Sequence, residues 1–251
     1  LALGSQGVES RTALSAGIAF GAVELLTGMA IGVAGALALA GPWVRPYIRV
    51  AALDTTQVNA ISSSVLQAFN STQLGALEAA DVAELTTTQV AAFTTTGIGA
   101  LSSTQFGDFS TTQVKALATT QIPSINSSVS FTSGQLLVLS AQQLGVLATA
   151  QVATMETTAI QSFSITQIGG LSSTNLSSLD QTQAAALTTT QIGSFSVTQV
   201  GGLNATDVAE LTATQVGALT RTQIVRLGTE SIAALDTAQI AAVSTTVLQA
   251  L

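Results

Sequence analysis

Large apolar residues recur every eight positions along most of this chain, from Leu53 through Ile61, Phe69, Leu77, Leu85 and Phe93 to Ile125. One shorter unit follows, and the count then keeps step from Leu139 to Leu251. A second apolar residue, usually Val, Ile or Leu, stands three places before each of them, as Val90 before Phe93 and Val216 before Leu219. The tract 54–251 therefore reads as twenty-four octads and one six-residue unit, Asn126 to Phe131. So short a fixed period marks a repeat array, in which each unit contacts near neighbours.

The polar positions say what one unit does. Counting from the residue after the closing apolar one, position one is Asp54, Asn70, Thr86, Ser102, Thr188 or Thr212. Their side-chain oxygens suit a helix N-cap, where they accept from free N–H groups. Position four is Gln in sixteen of the twenty-four octads, which makes it the rule and its absences the exceptions. Ser or Thr followed three residues later by Gln is a capping box, and the flanking apolar pair is a hydrophobic staple. Leu211, Thr212, Gln215 and Val216 carry the complete signature. The expectation is a helix of about one and a half turns, restarted every eight residues. One continuous helix does not fit: eight residues are about 2.2 turns, so the apolar pair would drift by about 80° per unit.

The fold predicted is all-α, an elongated solenoid of short capped helices, one per octad. A β-solenoid is the competing reading. Thr stands at position three (Thr88, Thr112, Thr166, Thr222), and Gly often at position six (Gly145, Gly201). T-Q-V could then be a short strand, with stacked Gln forming ladders. Against it, D-V-A-E-L at Asp81 to Leu85 and Asp207 to Leu211, and S-I-A-A-L at Ser231 to Leu235, are helix-favouring in the same register.

Two faults fall together. Pro123 occupies position six of its octad, where it lacks an N–H and crowds the carbonyl four residues back. Asn126 to Phe131 then lacks two residues. A shortened unit is expected to present its apolar pair out of step, so stacking should weaken over 123–131.

Residues 1–50 differ from the array at 51–251. Leu25 to Val44 carries no charge and is about as long as a membrane-crossing helix needs. Gly17 with Gly21 and Gly28 with Gly32 form G-x-x-x-G pairs, and Trp43, Arg45, Tyr47 and Arg49 follow as interfacial anchors would. A membrane helix, a buried hydrophobic cap on the array and a signal peptide ending near Ala38-Leu39-Ala40 all fit. Pro42 and Pro46 place the boundary. Starting at Leu1, the chain reads as a fragment or processed product.

Composition narrows the chemistry. With no His and no Cys, neither imidazole nor thiolate is at hand. Charged residues are 8% of the chain and the net charge is −7, without a basic stripe, so no nucleic acid partner is expected. Lys115 stands alone and reads as a solvated surface residue. Glu78, Asp81 and Glu84 are spaced to share a helix face, but no calcium-loop pattern accompanies them. The Gly residues follow the repeat, so no phosphate loop is read. No catalytic residue, cofactor or metal is expected.

The unit L-[ST]-x-T-Q-[IV]-x-x-L, over 54–251, resembles octapeptide-repeat tracts of very large bacterial surface or secreted adhesin-like proteins. That resemblance implies a non-catalytic spacer or stalk at the cell surface, with neighbouring repeats as its partners. The Thr row at position three offers an alternative, a surface for ice or polysaccharide, although Gly134, Gln142 and Ala150 interrupt it. A membrane-anchored scaffold, held through Leu25–Val44, is the third reading.

Overall fold

The computed structural model describes residues 55–75 and 77–243. The segment Leu25–Val44 and the boundary at Pro42 and Pro46 lie outside them. The chain separates into two compact units, Leu1–Asp108 and Phe109–Leu251.

Among the described residues all regular structure is helical and no strand occurs, which removes the β-solenoid reading. Each octad among the described residues holds one α-helix of four to six residues, except that of Ala118–Ile125. The reason is local and visible at Thr212. Its backbone is extended (φ −67°, ψ 156°), and its Oγ1 accepts from the Gln215 N–H at 3.3 Å. In return the Thr212 N–H donates to Gln215 Oε1 at 2.8 Å. Two N–H groups that a helix start leaves without partners are thus satisfied. At the other end Leu219 still donates its N–H to the Val216 carbonyl at 3.1 Å. At Leu187 (φ −62°, ψ 131°) the extended ψ of the closing residue ends the helix and turns the chain into the next cap.

Stacking follows one rule in both units. In the first, Ser63–Ala68 packs on Thr87–Ala92 and Ala79–Glu84 on Ser103–Gly107. In the second, Ala141–Gly145 packs on Ile165–Gly170 and Ala213–Gly217 on Thr237–Ala242. In each of these pairs the partner is three repeat units away. Position five and the closing residue fill the interior: Val200, Leu203, Val208, Leu211, Val216 and Leu219 are all buried. Each unit is therefore a helical solenoid, and the all-α expectation holds.

The shortened unit departs from expectation. Asn126 to Phe131 forms no helix, yet Val129 and Phe131 are both buried. The helix Thr111–Ala116 before it still packs on Ser133–Leu137 after it. One residue is lost between the cap Asn126 and Val129 and one between Val129 and Phe131, and both apolar side chains nevertheless reach the interior.

Candidate functional site

The polar residues with the most specific geometry are the position-four glutamines, which are nearly all buried. Most work at both ends. Oε1 serves the cap of its own helix, as above. Nε2 reaches into the preceding turn of the solenoid. Gln215 Nε2 donates to the carbonyls of Leu187 at 2.7 Å and Ala184 at 2.8 Å, 28 and 31 positions back. Gln105 does the same with Leu77 and Leu74, Gln199 with Leu171 and Ile168, and Gln223 with Phe195 and Ile192. An offset of 28 is three and a half octads. Position four therefore meets a closing residue rather than another position four, so Gln bonds backbone and no Gln–Gln ladder forms.

Exceptions at position four show what the site demands. Asn175 and Ser231 are shorter and keep one bond, to Leu147 and Leu203, each 28 positions back at 3.0 Å. Asp207 has no N–H to offer. Its carboxylate instead accepts from the Ser177 hydroxyl at 2.6 Å and from its own cap, the Asn204 N–H, at 2.8 Å. Beside it Glu210 has its pKa pushed up, first by burial and then by the charges of Asp207 and Asp180. The two-ended role of Gln was missed in the sequence, but a signal was there. A capping box accepts Glu as readily as Gln, yet no octad has Glu at position four. Of the two, only the amide supplies both an acceptor and donors, since an ionised carboxylate only accepts.

The position-three threonines Thr88, Thr112, Thr166 and Thr222 are exposed, as are the interrupting Gly134, Gln142 and Ala150. Lys115 is exposed in the last turn of Thr111–Ala116. Glu78, Asp81 and Glu84 part company: Asp81 is buried in a cap, accepting from the Glu78 N–H at 3.2 Å, and Glu84 accepts from the Thr55 hydroxyl at 2.7 Å. Among the described residues no group of three His, Cys, Asp or Glu side chains is placed to hold a metal, and no helix is long and apolar enough to cross a membrane.

A family model described as the ALTTAQ repeat matches residues 50–87 and 74–111, so this part of the chain carries a recognised tandem repeat. No curated protein matches the chain.

Proposed function

We propose that the array is a non-catalytic structural element, a spacer or stalk of a bacterial surface or secreted adhesin-like protein. The two-ended glutamine carries this reading. A side chain that fixes each helix start and ties it to the previous turn suits a tract whose task is to hold its form at a chosen length. Its partners are its own neighbouring repeats. The test is surface exposure in the native host. Protease added to intact cells should remove an epitope placed at Arg221, and deleting octads should lower exposure of whatever the tract carries. An epitope protected in intact cells and cut only after lysis would defeat the proposal.

The exposed threonines favour a second reading, in which position three contacts polysaccharide or ice. Glycan-array binding or thermal hysteresis that is lost on Thr166→Val and Thr190→Val together would support it over the spacer. Contact with a membrane through Leu25–Val44 is proposed from the uncharged run alone. Partition of the intact protein into detergent tests it.

A further inference from the structure

One rung of the amide ladder is missing, and its absence has a definable cause. Gln151 is 2% exposed, and its Nε2 has no hydrogen-bond partner. Gln135 and Gln143 lie just before it and also reach across the shortened unit. They keep their bonds, to Phe109 at 2.9 Å and Leu117 at 2.7 Å, now 26 positions back instead of 28. The shortfall of two residues is thus taken up in the offset. By the same count Gln151 should meet the carbonyls of Ile125 and Ile122, 26 and 29 positions back. Those carbonyls belong to Ala118–Ile125, the octad whose α-helix is replaced by the 3-10 turn Ile122–Ser124 around Pro123. Pro cannot donate to the carbonyl four back, and the tighter turn aims its carbonyls differently.

Two further losses fall on the same pair of octads. Both begin with alanine, Ala118 and Ala148, and Thr149–Ala153 has no side-chain cap bond. The intervening helices Ser133–Leu137 and Ala141–Gly145 have complete caps from Thr132 and Ser140. A buried amide without a partner, a Pro in the last turn and two absent caps all weaken one contact. The six-residue unit is not among the causes, since its apolar pair is buried and the rungs from Gln135 and Gln143 that span it hold.

We propose that the contact between octads Ala118–Ile125 and Ala148–Met155 is a seam at which the array opens first. Elsewhere in Phe109–Leu251 the turns stay joined while it does, so Ile122 and Val152 become exposed by a local event rather than by unfolding.

Hydrogen exchange of the intact chain, followed by mass spectrometry, tests this. Amides of Ile122, Ile125, Val152 and Met155 should exchange at least about tenfold faster than those of Ile192, Phe195, Val200 and Leu203. Pro123→Ala combined with Ala148→Ser should slow the first group by about tenfold. Gln151→Leu forfeits only the bond from the Ala148 N–H, so protection of its octad should change less than about threefold. Gln199→Leu also strands the Leu171 carbonyl, and protection there should fall by about tenfold or more. Uniform protection along the array would overturn the proposal, as would equal damage from the two Gln variants. If the repaired chain misfolds, the comparison of Gln151→Leu with Gln199→Leu still decides.

Discussion

Glutamine is long enough to serve two helices at once, and that single property sets the energetics of each unit. Gln215→Leu should cost about 2–4 kcal/mol, from a lost cap bond and the buried Leu187 carbonyl left without a donor. Gln215→Asn should recover part of this, because Asn175 shows that the shorter amide still spans 28 positions. Thermal melts of the three chains in the order native, Asn, Leu check the ranking. Glu210 makes a pH-dependent case. Burial first, then Asp207 and Asp180, raise its folded pKa above its unfolded value. Protonated Glu210 therefore favours the folded chain at low pH. That contribution is lost as pH rises from the ordinary glutamate range through the raised value. Glu210→Gln should accordingly melt higher than the native chain near neutral pH, and the gap should close as pH falls through that window. A gap that widens on acidification would reverse the sign.

At the scale of the helix, closeness between turns is decided at positions six and seven. Gly169 and Gly170 end the same helix, Ile165–Gly170, with opposite surroundings. A Cβ on Gly169 would meet nothing within 4 Å, whereas one on Gly170 would run into the Ala141 backbone. Gly145 faces the reverse side of the same contact and would meet the Gly170 carbonyl. Backbone cannot swing aside as a side chain can. Gly169→Ala should therefore raise stability by about 0.5–1 kcal/mol through helix propensity. Gly170→Ala should lower it by about 1–3 kcal/mol through overpacking. Denaturant midpoints of the two single variants measure both, and similar shifts would show that the turns can separate without penalty.

Across each unit, stability is a property of the number of turns rather than of any octad. A rung such as that of Gln215 joins its octad to the one four units earlier, so a short run has almost no rungs to make. Thr188 to Leu227 is five octads and retains only the rung from Gln223 to Ile192, Gly193 and Phe195. Ala148 to Leu227 is ten, and adds Gln183, Gln191, Gln199 and Gln215 with their acceptors. The five-octad chain should lack helical circular dichroism minima in water, while the ten-octad chain should show them and melt cooperatively. Equal helicity per residue in both would mean that capping alone holds the helices.

Capping is read within four residues, which is why the sequence by itself determined the helices, their starts and their buried positions. Leu211, Thr212, Gln215 and Val216 carry the same instruction wherever they stand, and the outward placement of Thr166 and Thr222 follows from it. Tertiary structure alone decided the offset of 28. That number is the turn at each corner summed over three and a half octads, set by corner dihedrals and by side-chain volumes in the interior, and no local pattern encodes the sum. Everything that depends on it was therefore hidden: the acceptors of Gln Nε2, the crowding at Gly170 but not Gly169, and the partner that Gln151 lacks. The same holds for the two adjacent faults. In sequence Pro123 and the shortened unit look like one defect. In the fold a missing pair of residues only changes a count, whereas a proline changes where two carbonyls point.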